Sequence, residues 1–282
     1  MLTCVILNYN DVQSTTKLYN QIKDYKVLDH IILVDGKSTD DSYKKLNQLS
    51  SPKTTVLLAD KNGGYGYGNN IGLRYSQKLG ATHVLIVNPD VLFEENAIKN
   101  CLALFKKYPQ AIAVSPRVSQ GQPAYKFAIP IKDITTISLV LNKLIKPRYY
   151  RRTYFIGKDV CSVDVLPGSL VLFDLNKFSR CDFYDENIFL YNEEISIARK
   201  FERAGYLSLL NLQETYQHFH SVSVNKSLKT VKIKTLNLQS HYYYLKRYAN
   251  ASYFTLLLFK LLTPFALLES ILWGKIKLCI KK

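Results

Sequence analysis

The sequence predicts an α/β fold, a mostly parallel sheet with flanking helices, followed by a basic, apolar helical tail. Three observations carry this. Short apolar, β-rich runs at 2–7, 30–34, 54–59, 84–87 and 111–118 alternate with helical stretches, which implies parallel strands joined by right-handed crossovers. Three of these runs end in polar or glycine-rich clusters, at Asp35, at 63–70 and at Asn88-Pro89-Asp90, and open α/β sheets bind ligands beyond the carboxyl ends of their strands. From Lys226 onward the composition changes: eleven Lys and Arg face a single acid, Glu269, among Leu, Phe and Tyr.

Taken in order, run 2–7 ends in Asn8-Tyr9-Asn10-Asp11, where Asp11 or Ser14 can cap a helix reaching about Tyr25. Run 30–34 leads into Asp35-Gly36-Lys37-Ser38, and Ser38 and Asp41 have capping-box spacing for a helix over 41–49. Gly36-Lys37-Ser38 looks like the end of a P-loop, but Ile31 stands where its first glycine belongs. After the third strand, Asn62-Gly63-Gly64-Tyr65-Gly66-Tyr67-Gly68-Asn69-Asn70 reads as a loop before a helix over 70–79. It fits no G-x-G-x-x-G register, yet so many glycines let backbone N–H groups approach a diphosphate. A plain surface turn is the competing reading. The fourth run, 84–87, is continuously apolar and reads as buried on both faces. It stops on Asn88-Pro89-Asp90, whose oxygens suit Mg2+ or Mn2+ carrying phosphate. A helix over 94–108 and the strand 111–118 complete this half.

Residues 119–160 are irregular and hold the run Arg148-Tyr149-Tyr150-Arg151-Arg152, read as an insertion beside the cleft. Strand-like segments at 163–166 and 169–175 are broken by Pro167-Gly168. Glu193 and Glu194 open a helix over 195–204 closed by Gly205, where ordinary first-turn acids are the simplest reading. A strand over 207–212 precedes His218 and His220.

The chain has 282 residues, 47% of them hydrophobic, and a net charge of +16. That supports one large domain with appendages and favours anionic partners. Five single cysteines with no CxxC pair exclude a zinc or disulfide framework and fit a reducing cytoplasm. The opening 1–7 lacks a charged n-region and a cleavage site, so no signal peptide is expected. In the tail, Lys260, Pro264 and Glu269 interrupt every apolar span before eighteen residues, so a helix lying on an anionic membrane surface is expected rather than one crossing it. Packing on the domain, or a homodimer contact, is the alternative.

In this order the motifs resemble the family 2 glycosyltransferases of GT-A fold, and most of all the rhamnosyltransferase-like enzymes of bacterial cell-wall and capsule polysaccharide synthesis. They are Val5-Ile6-Leu7-Asn8-Tyr9-Asn10, Val34-Asp35 with Ser38-Thr39-Asp40, the segment 62–72, Asn88-Pro89-Asp90, Gly168-Ser169, Phe189-Leu190-Tyr191-Asn192-Glu193-Glu194 with Arg199 and Gly205-Tyr206, and His218. The resemblance covers about 2–223 and divides the chain into a GT-A domain over 1–225 (nucleotide-sugar half 1–118, acceptor half 119–225) and a tail over 226–282. It implies an inverting, metal-dependent transfer, with dTDP-rhamnose as first donor and a UDP-hexose or UDP-N-acetylhexosamine as the alternative. The implied acceptor is a lipid-linked saccharide at the inner face of the cell membrane. The implied base is Glu194, with Glu193 supporting it. The nucleotide sugar would be held by Leu7, Asn8, Tyr9, Asp35 (on the nucleobase), Asn62, Gly63, Gly66, Asn69, Asn70, Asn88 and Asp90, and Mn2+ or Mg2+ by Asp90. His218 would be a metal or diphosphate ligand, or a satisfied structural histidine. The chain departs from the family pattern at Gly36-Lys37, at Glu194 where Asp is commoner, and at Ser196 and Leu212. A nucleic-acid-binding protein competes on the charge and on aromatic–basic runs such as Tyr149-Tyr150-Arg151-Arg152, with no DNA- or RNA-binding motif to support it; against a non-catalytic nucleotide-binding scaffold stand the intact acidic pair and Asn88-Pro89-Asp90.

Overall fold

The computed structural model describes residues 1–119, 124–145, 154–219 and 230–280. Residues 1–118 run β1 (Leu2–Asn8), α1 (Val12–Ile22), β2 (His30–Asp35), α2 (Ser42–Asn47), β3 (Thr54–Leu58), α3 (Gly64–Lys78), β4 (His83–Val87), β5 (Val91–Leu92), α4 (Glu95–Lys107) and β6 (Ala111–Val118). The second half adds α5 (Pro130–Asp133), a 3-10 turn (Ile134–Ile137), α6 (Leu139–Ile145), β7 (Tyr154–Gly157), β8 (Val160–Val163), β9 (Leu170–Asp174), α7 (Leu175–Arg180), α8 (Glu193–Arg203) and β10 (Leu207–His218). Two helices, α9 (Thr230–Arg247) and α10 (Tyr253–Ile280), follow.

The described strands form one mixed sheet in the order β3-β2-β1-β4-β9-β6-β10-β8-β7. β1 to β4 are parallel, as are β6 and β10, while β9 runs antiparallel between β4 and β6. Alternation along each strand feeds two cores. Cys4, Ile6, Ile31, Leu33, Leu85 and Val87 face Leu18, Ile22, Ile98 and Cys101 of α1 and α4. Val5, Ile32, Val34, Val84 and Ile86 face Leu73, Phe178, Ile197 and Phe201 of α3, α7 and α8. A strand with both faces covered has to be apolar throughout, as residues 84–87 are. Cys4, Cys101, Cys161 and Cys181 are free.

Several expectations change. The glycine segment is no loop: it forms the first turns of α3, because glycines there let the helix sit directly on the sheet. A Cβ at Gly68 would meet Leu7 at 2.4 Å, and one at Gly72 would meet Val5 at 2.4 Å. Ser38 caps no helix. Its hydroxyl donates to Asp35 and accepts from the Asn10 backbone N–H, and Asp41 stands alone at the start of α2 without a side-chain cap. The strand expected over 207–212 runs on to His218, with a break in its pairing to β6 between Asn211 and Thr215.

The two last helices pack on the second half of the domain. Leu238, Tyr244 and Leu245 of α9 and the adjoining Tyr248, with Phe259 and Ala266 of α10, bury against Ile134, Ile137, Val165, Ile188, Ile195 and Ala198. The expected boundary at 225 and the run 148–152 lie outside the described residues, as does His220. Against expectation, Tyr253–Trp273 is long and apolar enough to cross a membrane by length and composition. Its two charges have partners: Lys260 lies over the Tyr242 ring and Glu269 accepts from the Ser138 hydroxyl. The opposite face exposes Phe254, Leu257, Leu261, Phe265, Leu268 and Leu272, spaced three or four residues apart on one stripe.

Candidate active site

A cleft of about 620 Å3 opens over the carboxyl ends of β1, β2 and β4. Residues 1–118 line it with Leu7, Tyr9, Gly36, Asn62 and Asn88-Pro89-Asp90; the later part of the chain adds Gly168, Ser169, Tyr191, Glu193, Glu194 and His218. The strand ends supply polar side chains here because the neighbouring helices stop covering the sheet at this edge.

Glu193 and Glu194 begin α8 directly after a turn with unusual backbone. Tyr191 and Asn192 both have left-handed φ, at 71° and 65°, a conformation that costs a non-glycine residue about 1–3 kcal/mol and that clusters at functional sites. Glu193 is 7% exposed, and its Oε1 has no hydrogen-bond partner. Burial raises its pKa, and the neighbouring Glu194 charge raises it further. Burial also raises Glu194, which is half-buried at the cleft wall. Ordinary first-turn acids would be stabilised as carboxylates by the helix N-terminus. Here desolvation outweighs the backbone N–H groups, so both carboxyls hold protons more tightly than exposed glutamates.

The other wall carries Asp90 and His218. β10 is long enough to pass the sheet edge and pair antiparallel with β5, with His218 opposite Val91 and Gln217 opposite Leu92. The Phe219 N–H closes the arrangement on the Asp90 carbonyl at 3.0 Å. His218 Nε2 consequently sits 3.3 Å from Asp90 Oδ1. Two ligands at about 2.1 Å on adjacent positions of an octahedral ion stand roughly 3.0 Å apart, so this carboxylate–imidazole pair fits a divalent cation. No group of three or more His, Cys, Asp or Glu that could hold a metal occurs among the described residues. The fit is therefore to an ion that takes its other ligands from water or diphosphate oxygens, as Mg2+ and Mn2+ do.

Residues 3–177 match the description "Glycosyl transferase family 2". The chain belongs to this family. The Low-salt glycan biosynthesis hexosyltransferase Agl10 of Haloferax volcanii is 26% identical over 207 residues, covering 72% of this chain and 62% of that protein, so the chain spans about three fifths of its relative's length. The fold is shared with GalNAc-T7 bound to UDP, GalNAc and Mn2+ (TM-score 0.63, 16% identity, 88% of this chain and 50% of that one). It is shared also with the mannosyltransferase PcManGT from Pyrobaculum calidifontis bound to GDP-Man and Mn2+ (TM-score 0.59, 15% identity, 96% and 72%). A third is S. aureus TarS 1-349 bound to UDP-GlcNAc (TM-score 0.55, 12% identity, 88% and 67%). These likenesses establish a GT-A-like fold.

Within this family 2 chain, several residues expected at the nucleotide sugar lie elsewhere. Asn8 and Asp35 are fully buried and do not reach the cleft. They sit opposite each other in the β1–β2 register. Asp35 is occupied by the Asn8 amide and by the N–H and hydroxyl of Ser38, each at 2.8 Å. Asp35 thus fixes the loop that presents Gly36 and Tyr9. Asn69 and Asn70 face inward. Asn70 takes the Tyr184 N–H, donates to the Tyr184 carbonyl and reaches Glu186, while Asn69 binds the Tyr65 carbonyl of its own helix. Gly63 and Gly66 do not line the cleft; a Cβ at Gly66 would meet Tyr184 at 2.9 Å, which makes it a packing glycine. Leu7, Tyr9, Asn62, Asn88, Asp90, Glu193, Glu194 and His218 are brought together as expected. Sequence reading missed Tyr65, whose hydroxyl donates to the Gly168 carbonyl at 2.8 Å, and Tyr125, Asp164 and Lys232, which also line the cleft. Tyr65 was legible in its alternation with glycines; the other three stand in no motif.

Proposed function

We propose that this chain is an inverting glycosyltransferase that moves a sugar from a nucleoside diphosphate donor to an acceptor hydroxyl. The observation that carries the reading is one cleft that sets a carboxyl pair of raised pKa against a carboxylate–imidazole pair suited to a divalent ion. The donor lies along Leu7, Tyr9 and Gly36 with its diphosphate towards Asp90 and His218. Glu194 takes the acceptor proton as the new glycosidic bond forms on one face of the anomeric carbon. The bond to the diphosphate breaks on the other face and leaves its electron pair on oxygen. A base whose pKa lies above the ordinary glutamate range accepts a proton more readily, and such catalysis is worth about 10²–10⁴ in rate. Mn2+ or Mg2+, held by Asp90 and His218, would offset the charge of the leaving diphosphate. Glu193 crowds the same space and keeps Glu194 from being the only acid there.

The donor is a hexose or N-acetylhexosamine nucleotide, with dTDP-rhamnose the first to assay. The acceptor is a lipid-linked saccharide in a surface-polysaccharide or glycan pathway, met at the cytoplasmic face of a membrane on which the exposed stripe of α10 and the basic tail rest. A panel of dTDP-rhamnose, UDP-GlcNAc, UDP-GalNAc and GDP-mannose with Mn2+, read by released nucleoside diphosphate, tests the reaction. Glu194→Gln should lower turnover by about 10²–10⁴ and leave donor affinity within a few fold. Full activity in that variant would remove Glu194 from the chemistry, and loss in Glu193→Gln instead would exchange the two roles.

A further inference from the structure

The acid pair is presented by a turn that is costly to hold. Asp182, Phe183, Tyr191 and Asn192 all have left-handed φ, at 57°, 42°, 71° and 65°. Such residues persist only where their surroundings over-determine them. From the nucleotide half the turn is gripped by α3: Asn70 and Arg74 bind Glu186, and the Tyr65 N–H donates to the Phe189 carbonyl at 2.9 Å. The second grip comes from α9 and from Tyr248 just after it. Tyr248 and Tyr243 both donate to Asp185 Oδ2, at 2.6 and 2.9 Å. Asp185 Oδ1 takes the N–H and side-chain amide of Asn187 within the same turn. The Ser240 hydroxyl donates to the Leu190 carbonyl at 2.8 Å. Further along α8, Arg203 reaches the Tyr248 carbonyl at 2.8 Å.

Asp185 is the node of this arrangement. Burial alone would raise its pKa, but the hydrogen bonds from Tyr248, Asn187 and Tyr243 outweigh burial and hold it below the usual carboxylate range. A charged acceptor makes each of these bonds stronger than a neutral pair would be. The same helix offers Lys232 to the acceptor side of the cleft.

We infer that α9, with the Tyr248 that follows it, is a brace of the active site, in which Tyr243, Tyr248 and Ser240 are positioning residues that set Glu193 and Glu194 through Asp185 and Leu190. The inference rests on the glycosyl-transfer reading only for its kinetic consequence; the geometric consequence stands apart from it. It gives the tail a part in turnover that is separate from any attachment to a surface.

The test is the double variant Tyr243→Phe/Tyr248→Phe in the full chain, which removes two hydroxyls and keeps both rings, with Ser240→Ala as a second variant. Two readouts are taken well below the melting temperature. Hydrogen–deuterium exchange should quicken across residues 184–196 and stay unchanged in β1 to β4. With the donor that serves the wild type, kcat should fall about 10–100-fold, while UDP affinity with Mn2+ by calorimetry stays within twofold. A purely structural contribution would instead lower the melting temperature and leave both kcat and segment exchange unaltered in the folded protein. Unchanged exchange over 184–196 overturns the inference, as does a kcat within twofold of wild type. If the wild type releases diphosphate from no donor, the glycosyl-transfer reading fails, and the exchange result alone decides the brace.

Discussion

Gly64→Ala is the sharpest single substitution the structure offers. Gly64 has φ +90°, and an ideal Cβ there would stand 1.9 Å from the carbonyl oxygen of Phe189. Backbone opposes it on both sides, so no flexible side chain can yield. Reaching ordinary contact requires α3 and the turn before Glu193 to part by about 1.5 Å. The left-handed conformation costs an alanine about 1–2 kcal/mol. Losing the 2.9 Å bond from the Tyr65 N–H to Phe189 adds about 1 kcal/mol or more. The displacement itself brings the total to about 3–5 kcal/mol. Gly80→Ala is the matched control: its φ is +75° and nothing lies within 4 Å of its Cβ, so only the conformational part applies. At roughly 2–4 °C per kcal/mol for a chain of this size, Gly64→Ala should melt about 10 °C lower and Gly80→Ala about 4 °C lower. Turnover should separate them further, since a shift of about 1 Å in catalytic groups costs on the order of 10²-fold. Scanning calorimetry and a released-diphosphate assay measure both. If Gly64→Ala melts with Gly80→Ala and keeps kcat within threefold, the close approach of α3 to the turn does not govern the site.

Asp90→Ala should abolish the Mn2+ dependence of UDP binding and weaken binding in its presence by about 100-fold or more; unchanged calorimetric affinity would remove the cation from Asp90. Glu193→Gln should stabilise the fold at neutral pH by about 1–3 kcal/mol. Because the folded pKa of Glu193 is raised, the unfolded chain loses its proton first as pH rises. Wild-type stability then falls above about pH 5, and the variant's advantage should shrink to nothing below about pH 4; a pH-independent difference in melting temperature would contradict that sign. Phe254→Gln/Leu261→Gln/Phe265→Gln on the exposed stripe should reduce pelleting with phosphatidylglycerol–phosphatidylethanolamine vesicles by about 10²-fold in partition coefficient. In the wild type, high salt should weaken pelleting without ending it; equal pelleting of both proteins refutes a membrane role for the stripe, and a wild-type dimer lost in the variant would assign the stripe to self-association.

The sequence made the sheet legible because strands buried on both faces leave unbroken apolar runs, as at 84–87, and because the polar strand ends follow directly. Residues whose place depends on their own strand or helix stand at the cleft where the sequence puts them: Leu7, Asn88, Asp90 and the Glu193–Glu194 pair. Sequence alone does not give the orientation of a side chain that is held by a partner on another element. Asn70 is directed inward by Tyr184 and Glu186, more than a hundred residues away, and Asp35 is occupied by Asn8 and Ser38. A motif records that a polar side chain is required and is silent on whether it meets ligand or backbone. The glycines misled for a related reason: a glycine-rich stretch signals close approach without saying whether phosphate or a sheet comes close, and here Leu7, Val5 and Tyr184 do. Lys232 was invisible because helix packing alone brings it to the cleft.

The looped-out stretch of β10 between Asn211 and Thr215 separates two registers along one strand. Before it, Ser208 to Asn211 are fixed by β6 on one edge and β8 on the other; after it, Gln217 and His218 are fixed by β5. A residue gained or lost inside the stretch can be absorbed there, leaving His218 opposite Val91. The same change between Tyr216 and His218 would turn the imidazole to the other face of the ribbon. The strand therefore carries a slack joint, and length variation in this part of the chain is tolerable on its sheet side and intolerable on its cleft side.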